Sequence, residues 1–588
     1  MKMKRLLAML LVIAAIVFCF AGCKQQETTE QKSEQTEQAA DQPTGEAGTP
    51  SAPATAEPVT ISVLVSRHND ATIDVSSQWF FQYMEYWFAE QGYDVTIEAT
   101  QATDDEQIAL LLGTDSLPDL IWGPTLSTSD AVQYGLEEGM LLDWAPYINK
   151  ETMPNLTAQF ETYPEVLPAT TLENGAVYGI PYFKPFLYSS GTYGVVDRLF
   201  LRQSWLDKAG VEVPTTEEGL LDMLRAFKQI APEGDLEAYP LTSADRFFEK
   251  YLWTCFGYYG SNTDFNSTAG RFGCDFAIKD EQVQMPVLTE DYDAYIAFMN
   301  TLYTEGLISP DYYTMDGTAA RAMISNDTAG AFCYWTLEDV GDDYADIVMA
   351  KPVRMGSNDE IHISCLSYYE ANRIWASSKT EHPELGAMLV DFISSDEGSF
   401  LYRYGPAKGE DPLNLVSGYY YDEDGNITYD EVESGAYATC SAYGRDYLYP
   451  YDNVGLRAAV VSSGTGEIIS YTDSVTGRKI DTIDTVKLTD DNNDNHWRLI
   501  NIETWNPYAT SVRLPACYLT PESAQEMADL KTVLVDYVAA ESVKFITGTR
   551  PLSELDAFKS EIITMGAEDY LATYQEAYAD YMSSVFGG

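Results

Sequence analysis

The sequence predicts an α/β protein with two or more lobes, on three observations. Short β-branched runs alternate with helical patterns from residue 59 onward, the signature of a largely parallel sheet with helices on its faces. A second block of the same kind begins near residue 199. About 530 residues follow the amino-terminal leader, more than a single hydrophobic core ordinarily serves.

The first strand is "VTISVLVS" at 59–66, short, β-branched and alternating. "QWFFQYMEYWFAEQG" follows, with Trp79, Phe80, Tyr83, Met84, Trp87 and Phe88 at helical spacing on one wide apolar face. "DVTIEA" at 94–99 is a second strand, a helix is expected around 105–112, and "PDLIWG" is a third strand. In the second block, "LFLRQSWLDKAGVEVPTTEEGLLDMLRAFKQI" holds a helix, a turn at Gly210 and another helix after Pro214. Thr215 and Glu218 form a capping-box pair there, and Leu220, Leu221, Leu224, Phe227 and Ile230 supply the buried face. Toward the carboxyl terminus, Thr520 and Pro521 mark a helix start, Met527, Leu530, Leu534, Tyr537 and Val538 its apolar positions, and Gly548 its stop. Residues 418–484 are turn-rich, and "YDEDGNITY" and "ISYTDSVTGRKID" read as β-hairpins. The acidic runs in "YDEDGNITY" and "DDNNDNHW" lack EF-hand spacing and read as polar hairpin tips.

The amino terminus carries its own message. Lys2, Lys4 and Arg5 precede an apolar run over 6–20, short of the roughly 20 residues a spanning helix needs. A charged start, a short apolar core and small residues before a cysteine describe a secretory signal over 1–22 ending at a bacterial lipobox, with Phe20 where leucine is usual. Cys23 is then the lipidation site. Each buried methylene of an attached acyl chain contributes roughly 0.8 kcal/mol of membrane affinity. The segment 23–58, rich in Gln, Glu, Thr, Ala and Pro, has little to bury and reads as a disordered tether. A flexible coil of its length spans roughly 30–35 Å. The expected location is the extracellular face of the cell membrane.

Composition removes several function classes. The formal charge is 35 − 91 = −56, so phosphate backbones are repelled and nucleic acid is not an expected partner. The cysteines show no CxxC spacing, which argues against a zinc knuckle or a thioredoxin-type site. Cys255 and Cys274 are the nearest pair, open to a bridge or to two buried thiols. No GxSxG, HExxH or Walker loop occurs, and the four histidines have no metal-ligand spacing to one another. A secreted glycosidase needs only two suitably spaced carboxylates and is the alternative from the enzyme class. A surface adhesin or sensor is another.

Several segments together carry a resemblance. "LPDLIWG" at Leu117, "LEEGMLLDWAPYI" at Leu136, "NGAVYGIPY" at Asn174, "WLDKAGVEVPTTEEGLLDMLRAFK" at Trp205, "LYTEGLISPD", "AGAFCYWT", "FITGTRPLSELDAF" and "MGAEDYLATYQEAYADY" occur in order across 59–588. The chain resembles extracellular solute-binding proteins of family 1, in their larger LipO-like branch, the lipoproteins that serve ABC-type sugar importers. The segment "APEGDLEAYPLT" lacks the DxNxDG ligand spacing that members of the branch often carry, so no metal or other cofactor is carried over.

The resemblance implies a two-lobed periplasmic-binding-protein-like fold of type II, with lobes joined by crossing hinge strands and a ligand cleft between them. It implies a first lobe of 59–181 and 358–405, and a second of 182–357 and 406–588 that includes the hairpin-rich 418–484. Ligands in open sheets sit beyond the carboxyl ends of strands. Those positions hold Arg67, His68 and Asn69, then Trp122, then Tyr182 and Phe183, then Tyr334 and Trp335. Trp253, Asn262 and Trp505 extend the expected ligand-contact set. Aromatic rings suit the C–H face of a pyranose. The expected partners are a neutral oligosaccharide and the membrane subunits of an ABC permease, with the protein itself a monomer. An acidic body disfavours a polyuronate unless a local basic cleft compensates. A peptide or amino sugar stays open as a ligand.

Overall fold

Each α/β block forms its own sheet and its own apolar core. The computed structural model describes residues 57–67, 72–102, 105–184, 198–232, 237–243, 247–261, 268–334, 336–356, 358, 360–364, 369–422, 427–437, 439–451, 454–456, 468–475, 477, 479–483, 493–515 and 517–586. The signal, Cys23 and nearly all of the tether lie outside them. The strands that position the site are β1 (Val59–Val65), β2 (Val95–Gln101), β3 (Leu120–Trp122), β4 (Gly179–Phe183), β5 (Leu199–Arg202), β6 (Tyr239–Ser243), β7 (Ala329–Cys333), β8 (Ile347–Ala350), β9 (Ile363–Ser364), β10 (Tyr369–Ala376) and β11 (Ala509–Thr510).

The first sheet has the order β2-β1-β3-β10-β4. β1 runs parallel to β2 and β3, and β10 runs antiparallel to β3 and β4. The carboxyl ends of β1, β3 and β4 therefore share one edge with the amino end of β10. The second sheet has the order β8-β5-β7-β6, with β5 antiparallel to both neighbours and β6 parallel to β7. Its corresponding edge gathers the carboxyl ends of β6, β7 and β8 and the amino end of β5. The chain crosses from β4 to β5 and from β8 to β10, so each crossing joins one of these edges to the other. A short parallel pair, β9 with β11, lies on the second of these crossings.

Local sequence explains the elements. The Trp79–Glu90 helix buries Trp79, Phe80, Phe81, Met84 and Phe88, and leaves Tyr83 and Trp87 only partly covered. Gly123 takes φ +103, and a Cβ there would lie 2.7 Å from Cβ of Ser66, so glycine lets the ends of β1 and β3 close side by side. Gly210 ends the Gln203–Ala209 helix in the left-handed conformation, as its position in the sequence predicts. The Glu217–Ile230 helix is capped one residue later than the expected Thr215: Thr216 Oγ1 accepts from the Gly219 backbone N–H at 3.1 Å. Thr216→Ala is expected to cost about 0.5–2 kcal/mol in a denaturant melt. Thr520 caps the Pro521–Ile546 helix as the sequence suggests.

Two expectations need correction. The resemblance places 406–456 in the second lobe, yet Tyr429, Tyr443, Leu448, Tyr449, Val454 and Leu456 pack into the first-lobe core. Asp411 shows why: its carboxylate accepts Trp79 Nε1–H at 2.9 Å and the backbone N–H groups of Leu413, Leu415 and Val416, fastening that segment to the first helix. Second, Cys255 and Cys274 do not bridge. Both are free thiols sealed in the second core, where burial pushes their pKa values well up. Iodoacetamide added to denatured, unreduced protein is expected to label both, and a peptide map recovering them disulfide-linked would contradict this.

The carboxyl-terminal Ala567–Phe586 helix belongs to the second core and also reaches the first lobe. Tyr570 and Tyr574 pack on Phe276, and the Tyr581 hydroxyl donates to the Glu165 carbonyl at 3.2 Å. Asn372 and Tyr518 exchange hydrogen bonds across the same joint.

Candidate functional site

At the shared edge of the first sheet a regular ladder breaks open. The β10–β4 register shifts between Glu370 and Ile374, and Asn372 sits there at φ 56. The bulge takes Asn372 and Arg373 out of ladder positions, beside Glu370, which still pairs with Tyr182 near the end of β4. Lys184, directly after β4, pairs with Glu370 at 2.5 Å, and Arg373 pairs with the other oxygen of the same carboxylate. Arg373 Nη1 also donates to the Gly123 carbonyl at 3.0 Å, tying the cluster to the end of β3. The three side chains are 8%, 24% and 19% exposed for Lys184, Glu370 and Arg373. Burial alone would raise the Glu370 pKa, but the two cations outweigh it and hold the carboxyl below its ordinary range.

Arg67 stands at the end of β1 on the same edge. Its Nη1 donates to Gln101 Oε1 at 3.0 Å. Its Nε and Nη2 are buried with no partner among the described residues, and so is Nε of Arg373. Buried donors without acceptors are costly, at about 1–3 kcal/mol each, and point to a group that completes them. On the second lobe, Tyr334 follows β7 half-buried, and Arg321 Nη1 donates to its hydroxyl at 3.4 Å. Arg198, just before β5, is turned inward, with Nε on Asn501 Oδ1 at 3.0 Å and its guanidinium 4.5 Å above the Trp497 ring.

The residues predicted from sequence divide. Arg67 and Tyr334 lie at the sheet edges. Asn262, Trp335 and the neighbours His68 and Asn69 lie outside the described residues. Trp122 ends β3, but its side chain turns into the core. It shares the face of β3 that Leu120 takes and is wholly buried against Phe80, Phe81 and Tyr402, at ring distances of 6.2, 6.3 and 6.0 Å. Trp253 is likewise core, stacked on Tyr295 at 4.5 Å with Nε1 donating to the Arg271 carbonyl. Trp505 is core too, its Nε1 donating to the Ala350 carbonyl at 2.8 Å. Tyr182 is fully buried within β4, opposite Glu370. None of these four offers a ring face to a ligand. Lys184, Glu370 and Arg373 were missed; the polar triplet inside "YYEANRIWA" was the available signal.

Among the described residues no three His, Cys, Asp or Glu side chains gather to hold a metal, and no helix is long and apolar enough to cross a membrane.

No family model matches the chain. It is similar to the fructooligosaccharide ABC transporter substrate-binding protein FusA of Streptococcus pneumoniae, 23% identical over 508 residues that cover 84% of this chain and 86% of FusA. The chain is similar to ABC-transporter substrate-binding proteins over most of its length. The solved FusA structure, in complex with kestose, superposes with a TM-score of 0.65 at 20% identity, over 89% of this chain and 100% of that one. The two-lobed solute-binding fold expected from the sequence is thus the fold observed. Partial matches reach two Bacillus subtilis proteins at 23% identity. The polygalacturonan/rhamnogalacturonan-binding protein YtcQ matches over 39% of this chain and 42% of its own length, and the lipoprotein LipO over 32% and 34%. Two of these relatives are binding proteins by name, and the third is a lipoprotein.

Proposed function

We propose that this chain is the substrate-binding protein of an ABC importer and captures an oligosaccharide between the two sheet edges. The observation that carries this reading is the set of buried, partnerless donors, Arg67 Nε and Nη2 and Arg373 Nε, at the edge where crossovers join the lobes. Sugar hydroxyls accept from such donors, and each donor left unfilled by a wrong ligand is a penalty that yields specificity. Closure of the lobes about the crossovers would surround the ligand and present one face to permease subunits. A lipid on Cys23 and the acidic tether would keep the monomer near the membrane. Mass spectrometry finding an unmodified mature terminus would contradict that anchor.

The first reading of the ligand is a neutral oligosaccharide, in keeping with the charge of −56. A second is favoured by one observation: two cations, Lys184 and Arg373, share a single carboxylate, Glu370, at the edge where Arg67 also stands. That local excess of positive charge suits a uronate-bearing glycan. Calorimetric titration with kestose and with galacturonate oligomers, followed by product analysis, separates them. Saturable kestose binding without turnover supports the first, and uronate binding alone replaces it with the second. Cleavage of either glycan, or binding of neither, overturns the proposal. Arg67→Ala is expected to weaken the bound glycan roughly tenfold, one charged hydrogen bond's worth.

A further inference from the structure

A groove of about 830 Å³ opens on the first lobe and shares no residue with the sheet edge just described. That size falls within the roughly 300–1,000 Å³ usual for ligand sites. Its walls are two aromatic pairs. Tyr83 and Tyr86, one turn apart on the Trp79–Glu90 helix, have ring centroids 6.1 Å apart. Phe400 and Tyr419 meet edge to face at 5.4 Å. Asp396, Glu397 and Glu410 bring three carboxylates, the rest of the lining is apolar side chains and Gly405, and no lysine or arginine contributes to it.

The carboxylates are set against the rings. Burial raises the Tyr83 phenol, and the charge of Glu397 raises it further; burial also raises Tyr419, with Tyr421 and Glu410 adding to it. Each aromatic wall therefore has its own carboxylate. Lys408, close to Glu410 in sequence, is turned away to Asp430 at 2.5 Å and to the Tyr420 ring at 4.4 Å. The helix start at Asp396, capped by Ser395, accounts for acids at 396 and 397 through the helix dipole. It does not account for Glu410, which comes from the following loop, or for four aromatic residues lining the same space.

We propose that this groove is a second ligand site, for a small organic cation of the alkylammonium class, held over the tyrosine faces and paired with Glu397 and Glu410. Ring faces attract such cations, and the carboxylates supply charge that nothing lining the groove neutralises. A neutral sugar can stack on the same rings, but it has no use for three uncompensated carboxylates.

The test titrates the mature full-length protein with choline chloride by ligand-observed NMR. Saturable binding at millimolar choline or below is expected, weakened by raised salt and by roughly tenfold or more in the Glu397→Gln/Glu410→Gln double variant. Both positions are exposed, and an unchanged melting curve checks that the variant folds. Kestose or galacturonate titrations, which report on the sheet edge, are expected to be unaffected by the double variant. Absence of saturable choline binding, or binding that ignores the double variant, overturns the proposal. So does loss of glycan affinity in the double variant, which would make the groove a sugar subsite.

Discussion

Trp122→Ala is expected to lower the stability of the folded chain by about 3–5 kcal/mol, as removal of a wholly buried indole does when its neighbours cannot collapse into the space. Phe80, Phe81 and Tyr402 surround the ring, and the Tyr402 hydroxyl is fixed by donating to the Tyr451 carbonyl at 2.7 Å, so little can move in. Trp122→Phe keeps most of the volume and is expected to lose less. Urea denaturation measures both. The decisive companion is a glycan titration of the folded variant: affinity should stay at the parent value. A variant of unchanged stability that no longer binds glycan would return Trp122 to the ligand site, where strand position alone had placed it.

Glu370→Gln is expected to cost about 1–3 kcal/mol at neutral pH, because it leaves Lys184 and Arg373 close together and mostly buried with no carboxylate between them. The pH dependence gives a second readout. Glu370 has a folded pKa below its unfolded value of about 4.3, so its contribution is complete above that value. It is lost as pH falls through the lower folded value. The difference between parent and variant should therefore be full at pH 7 and shrink in acid below about pH 4. A difference that stays constant into acid would mean the carboxylate charge is not what the two cations need.

How far the sequence could be read follows from which signals are local. The first three strands and the helices between them obey short periods, two for "VTISVLVS" and 3.6 for "QWFFQYMEYWFAEQG", and the observed strand and helix lie within those stretches. Trp122 shows the limit. Its place at a strand end was legible, but not which side of the sheet a helix would cover; Leu120 on the same side was the clue. Trp253 sits in "FFEKYLWTCFGYY", apolar nearly all round, the mark of a buried helix rather than of a cleft wall. The Lys184–Glu370–Arg373 cluster could not be read, since it joins residues 186 apart in the chain and depends on a bulge that only the paired strands reveal. The docking of the described residues of 406–456 on the first lobe likewise rests on Asp411 meeting Trp79 across 332 residues.

Hydrogen exchange with and without a saturating oligosaccharide tests the central claim most directly. Slowed exchange is predicted at 66–67, 123–126, 184 and 369–373 on the first lobe and around 334 on the second, with the helix cores unchanged. Slowing confined to 83–86 and 396–419, with those edges unaffected, would contradict the account.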